Sequence, residues 1–172
     1  MIKVKETQLD GVKLIEHDAF EDFRGRYIET FNKKAYAQKG IDMDFVQDDI
    51  SVSSRHVLRG IHGDDVTWKL ISCLWGRFYL VVVNCNRESE NFGQWEAFTL
   101  SDGNRRQVLV PPHYGNGHLV LSDTAIFHYK QTTYYNPDKQ FTFKWDDPEL
   151  EVWWPVKTPI LSPRDEAGRF VT

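Results

Sequence analysis

Cysteine is scarce in this chain, with Cys73 and Cys85 the only two, and no charge run, internal repeat or long apolar stretch marks it. Two thiols in apolar segments make neither a disulfide framework nor the paired knuckles of a zinc site, so buried free thiols are expected. No stretch nears the ~20 apolar residues of a membrane span, and no apolar segment follows a basic start. The chain therefore reads as soluble and cytoplasmic, without a membrane partner. A formal charge of −4 with no basic tail makes nucleic acid an unexpected partner, although a local basic pocket for an anionic small molecule is compatible with it. Helix signals are scarce too. Only N-K-K-A-Y-A-Q-K-G reads as helical, with Asn32 as N-cap and Gly40 as the stop.

Apolar residues are plentiful, at 41% of the chain with 14% aromatic, and one domain spanning residues 1–172 is expected. Period-two alternation recurs in short segments bounded by Gly, Pro, Asn and Asp. R-Y-I-E-T-F puts Tyr27, Glu29 and Phe31 on one face, and K-Q-F-T-F-K-W does so for Phe141, Phe143 and Trp145. Arg77 to Cys85 is apolar on both faces and reads as a central strand. The expected fold is all-β, an antiparallel jelly-roll sandwich or barrel with one or two short helices.

The segment F-V-Q-D-D-I-S-V-S-S alternates strictly, with Gln47, Asp49, Ser51 and Ser53 on one face and Asp48, Ile50 and Val52 on the other. Two readings fit: a solvent-facing polar side, or a barrel interior made polar to hold a ligand. The stretch V-L-R-G-I-H-G-D-D-V-T-W-K-L favours a site. Gly60 permits a bulge that would turn Arg59 and His62 toward one cavity despite their odd separation, and Lys69 opens the next strand. An imidazole and two cations beside a polar strand face suit an anionic or enolisable substrate. Taken alone, a histidine in this position is structural or exposed more often than catalytic. No metal is expected: Gly63 and Asp64 follow His62, so the H-x-H pair of many double-stranded β-helix proteins is absent, and His113 and His118 lie five apart in a Gly-rich loop.

F-E-D-F-R-G-R-Y-I-E-T-F, F-V-Q-D-D-I-S-V-S-S, V-L-R-G-I-H, E-S-E-N-F-G-Q-W, Y-K-Q-T-T-Y-Y-N-P and W-D-D-P-E-L resemble, in the same order, segments of the dTDP-4-dehydrorhamnose 3,5-epimerase family, across nearly the whole chain. The resemblance implies a cupin-type jelly roll, a homodimer and a metal- and cofactor-free epimerase of nucleotide-linked 4-keto-6-deoxy sugars. It further implies His62 as general base, Asp165 of L-S-P-R-D as the carboxylate that orients it, Tyr129 as the acid on the opposite face of the sugar, and Lys69 beside the enolate oxygen. Arg24 and Glu29, on an early strand, would reach the nucleotide in the neighbouring subunit. Gln47, Asp49, Arg59, Asn116, His118 and Tyr135 would contact the ligand.

The chain departs from the family pattern at Asp49, where asparagine is common, and at Gly63 and Asp64. It departs again in P-P-H-Y-G-N-G-H, where the usual G-F-A-H-G-F becomes Asn116 and His118. These changes, with Cys73, are similar to a branch acting on GDP-linked 4-keto-6-deoxy-heptoses in capsule biosynthesis, so a GDP-linked substrate is preferred and a dTDP-linked hexose is the alternative. A sugar 3,4-ketoisomerase and a non-catalytic carbohydrate-binding jelly roll with aromatic stacking surfaces are the rival readings.

Overall fold

A computed structural model describes residues 2–171. Strands are numbered in chain order. One antiparallel sheet has the order β1 (Ile2–Glu6), β2 (Lys13–His17), β10 (Arg106–Val110), β7 (Lys69–Trp75), β12 (Thr124–Gln131) and β5 (Gln47–Ser54). A second has the order β13 (Phe141–Thr142), β6 (Leu58–Gly63), β11 (Tyr114–Val120), β8 (Arg77–Asn84) and β9 (Trp95–Ser101). A small hairpin joins β3 (Phe20–Asp22) to β4 (Gly25–Tyr27), and two short α-helices, α1 (Lys33–Ala37) and α2 (Pro163–Glu166), with one 3-10 turn (Pro137–Lys139), complete the elements. Sequence neighbours are mostly apart within the sheets, the crossing connectivity of a jelly roll.

The two large sheets pack face to face over a core drawn from both: Ile71, Val108 and Phe127 from one, Phe78, Leu80 and Val82 from the other. The run at β8 is apolar on both faces for a visible reason. Phe78, Leu80 and Val82 enter the inter-sheet core, while Val81 and Val83 pack outward under Phe143, Leu150 and Trp154 of the C-terminal segment. Each such side chain contributes about 1.5–3 kcal/mol of burial. β8 lies inside its sheet between β11 and β9 rather than at the centre. Cys85 falls just beyond it; both cysteines are free, and burial pushes each thiol up to about 12.

On the outer face of the six-stranded sheet, α1 covers Ile15, Leu70 and Leu109 with Tyr36. Asn32 caps α1 by accepting from the Ala35 N–H. Gly40, at φ +79, closes it with Ile41 N–H bonded to Tyr36 C=O and Gly40 N–H to Ala37 C=O. The expected strand through Phe31 is shorter: β4 ends at Tyr27, and Glu29 accepts from His17 through its backbone carbonyl and from Asn32 through its carboxylate in an irregular segment leading into α1. K-Q-F-T-F-K-W forms only the two-residue β13, although Phe141, Phe143 and Trp145 do share one apolar cluster.

Candidate active site

A cavity of about 250 Å³ opens between the sheets, walled by β5, β7 and β12 on one side and β6 and β11 on the other. The strand β5 resolves the choice left by its alternation. Its polar residues turn inward, with Ser53 only 7% exposed, and Ile50 and Val52 face outward at 62% and 58%.

The expected bulge is present on β6. His62 pairs with Asn116 and Arg59 with His118, so three steps on β6 match two on β11. Gly60 makes this turn at φ +128, and a Cβ there would stand 2.4 Å from the Gly117 Cα. Arg59 and His62 consequently line the same cavity.

His62 Nε2 lies 2.5 Å from Asp165 Oδ1. Asp165 is 2% exposed in the first turn of α2. Its second oxygen accepts from the Ser162 hydroxyl at 2.8 Å, and the Gly60 N–H points to Oδ1 at 3.4 Å. Burial alone would raise the carboxyl, but these bonds, with His62 foremost, hold it below the ordinary carboxylate range. A charged Asp165 fixes the Nε2–H tautomer of a neutral ring, which leaves Nδ1 as the basic nitrogen.

Tyr129 faces the cavity from β12, on the opposite sheet. Burial first, and then the adjacent Asp49 carboxylate, push its phenol well up, so the proton stays on oxygen. The Lys69 side chain, at the start of β7, has no hydrogen bond or ion pair among the described residues; burial, helped by the Arg164 charge, pushes its ammonium down against the pull of Asp64. At the rim, Arg59 is exposed and gives only its Nε to Ser53, at 3.1 Å.

Of the other expected contacts, Asp49, Asn116, His118 and Tyr135 line the cavity. Gln47 stands one step behind, bonded to Asp49 at 2.8 Å and to the Tyr135 N–H at 2.9 Å. Arg24 and Glu29 do not line it. Arg24 sits in the turn between β3 and β4, paired with Asp22 at 2.6 Å, rather than on a strand. Sequence reading missed Arg164, Gln131 and Gln140 of the wall. Arg164 bonds Thr142 Oγ1 and the Tyr135 hydroxyl, and its position immediately before Asp165 was the available signal. No cluster of three or more His, Cys, Asp or Glu suited to a metal occurs among the described residues.

A base and a proton-bearing phenol facing one cavity can take a proton from one side of a bound molecule and return one on the other, which leaves its formula unchanged: the chemistry open to this jelly roll is that of an isomerase. The sequence model for dTDP-4-dehydrorhamnose 3,5-epimerase matches residues 6–172, and the chain belongs to that family of epimerases. A dTDP-4-dehydrorhamnose 3,5-epimerase from Methanothermobacter thermautotrophicus is 38% identical over 165 residues, 93% of this chain and 89% of that protein. The crystal structure of a dTDP-6-deoxy-D-glucose-3,5-epimerase from Legionella pneumophila, in complex with dTDP-4-keto-L-rhamnose, superposes with a TM-score of 0.95 at 38% identity, covering 99% of this chain and 93% of that one. A 3′-monoepimerase from Streptomyces bikiniensis in complex with dTDP-quinovose superposes at 0.91 with 30% identity, covering 96% and 86%. No helix among the described residues is long and apolar enough to cross a membrane.

Proposed function

We propose that this chain, acting as a single domain, epimerises a dTDP-linked 4-keto-6-deoxyhexose at C3, or at C3 and C5, through an enolate. The observation that carries this reading is the placement of His62 and Tyr129 on opposite sheets around one cavity, because inversion needs a base and an acid on opposite faces of the ring. His62 Nδ1 takes the proton from the carbon beside the ketone. The C–H pair becomes a C=C bond and the carbonyl π pair moves to oxygen, where the Lys69 ammonium opposes the new charge; one preorganised donor of this kind is worth ~3–4 kcal/mol. Tyr129 then delivers its phenolic proton to the carbon from the far side, the ketone re-forms, and exchange with solvent resets imidazolium and phenolate. Asp165 orients His62 throughout. Arg59 and Arg164 suit the diphosphate, since a guanidinium makes paired charge-assisted bonds to it.

The dTDP-linked ligands of the similar structures support the nucleotide choice. The GDP-linked heptose expected from the G-N-G-H loop has no counterpart among those relatives, and the alternative stated with it is adopted instead. We also propose a homodimer. Exposed Ile50, Val52, Leu74 and Trp75 at the β5 and β7 side of the six-stranded sheet offer an apolar face. Arg24 and Glu29, remote from their own cavity, are then placed to serve that of a second copy. The two free thiols favour a reducing, cytoplasmic setting.

The test is incubation with dTDP- and GDP-linked 4-keto-6-deoxy sugars in deuterated water, followed by mass and stereochemistry. Label at C3 alone, at C5 alone or at both carbons separates single from double epimerisation. A product whose carbonyl has moved identifies a ketoisomerase, and absence of exchange with every sugar points to a binding module. His62→Asn stops all wash-in; persistent exchange sinks the assignment of the base.

A further inference from the structure

Among the described residues, five buried side-chain N or O atoms lack a hydrogen-bond partner, and three of them, Ser51 Oγ, Asn116 Oδ1 and His118 Nε2, belong to residues of this cavity wall. Buried polar atoms are nearly always paired, so their concentration here points to a partner that enters with the ligand. Asn116 and His118 alternate along β11 and are 8% and 3% exposed. The His118 ring lies flat on Phe127, with centroids 4.0 Å apart and planes 7° apart, and Phe78 packs at 5.3 Å. Burial first, then the charges of Arg59 and His62, push His118 down to about 3. The ring is therefore neutral at working pH, with one N–H and one lone pair.

This chemistry selects among the parts of a nucleotide sugar. A phosphate only accepts and carries negative charge, so Arg59 and Arg164 draw it. A hydroxyl gives one hydrogen bond and takes others, as a neutral imidazole and an amide together do. We propose that His118, with Asn116, forms a specificity-determining subsite that hydrogen-bonds a ring hydroxyl of the sugar; this rests on the nucleotide-sugar reading above. The usual family loop places phenylalanine at 118, so the polar group is a departure from that pattern in the wall. The subsite lies next to the base, because Asn116 is the cross-strand neighbour of His62.

Titration calorimetry with dTDP- and GDP-linked 6-deoxyhexoses, beside dTDP and GDP alone, tests it. His118→Phe keeps the stack on Phe127 and removes the hydrogen-bonding atoms. Its affinity for the preferred nucleotide sugar falls about tenfold, the worth of a lost buried hydrogen bond, while affinity for the free nucleoside diphosphate stays at the wild-type value. His118→Gln, which retains a donor and an acceptor, recovers most of the loss and guards against a folding defect in the first variant. With analogues deoxygenated at one ring carbon at a time, one analogue binds wild type about tenfold more weakly yet binds H118F no worse than the parent sugar does. Equal affinity of wild type and H118F for the nucleotide sugar, or equal losses for sugar and free nucleotide, overturns the subsite and leaves the epimerase reading intact. Wild-type protein that binds no nucleotide sugar overturns both.

Discussion

The Asp165 carboxylate is buried, with three bonded partners, and does not line the cavity, so its loss acts through His62 rather than through the substrate. Asp165→Asn keeps the shape but no longer enforces the Nε2–H tautomer, and the rate of deuterium wash-in is expected to fall about 10²–10⁴-fold. Because the folded carboxyl is held low, the stability it contributes is present above the unfolded value of ~3.9 and is lost only as pH falls through the folded one. His118 titrates over a different window. Its folded value of about 3 lies below the unfolded ~6.5, so between them the unfolded chain binds the extra proton and stability rises with pH. Urea midpoints measured from pH 7 to pH 4 should decline with a His118 share of at most about 1.4 kcal/mol per pH unit, and H118F should lack that share. The grouping of the four residues proposed for the chemistry was legible through the ordered motifs: His62, Lys69 and Tyr129 line one cavity, and Asp165 bonds His62 directly behind its wall. Arg164 was not, because a cation in a Pro-containing turn looks like any solvated residue until α2 brings it against Thr142.

At the level of elements, β6 and β5 teach opposite lessons. The bulge was readable because glycine alone tolerates φ +128 with Gly117 backbone pressed against it. Gly60→Ala is expected to destabilise the fold by about 2 kcal/mol or more in urea titration, and to separate Arg59 from His62 so that exchange activity is lost even in the folded fraction. The alternation of β5 showed a strand but not which side faced in. Half-buried strands usually bury their apolar side; here Ser51 and Ser53 turn in toward the cavity side while Ile50 and Val52 turn out. Where β4 should have continued, Glu29 instead joins the polar cluster of His17 and Asn32 beneath α1, a long-range arrangement that local periodicity does not encode.

For the whole molecule, the edge position of β5 puts its apolar outer face next to a row of unpaired backbone groups, a combination that soluble proteins usually cover. Replacing Ile50 and Val52 together by glutamate is expected to convert a dimer to a monomer by sedimentation velocity. If Arg24 and Glu29 serve the second copy's cavity, the monomer also loses affinity for the nucleotide by about tenfold or more; a wild-type monomer would end this part of the proposal. The dyad has one further consequence. Its members are 103 positions apart, and the segment bearing Asp165, C-terminal to every strand, is tied on by the bridges Val57 to Ile160 and Phe143 to Arg169. A ribosome that has emitted every strand of both sheets has still not delivered the carboxylate, so a chain stopped at Ile160 carries the imidazole without the group it bonds to.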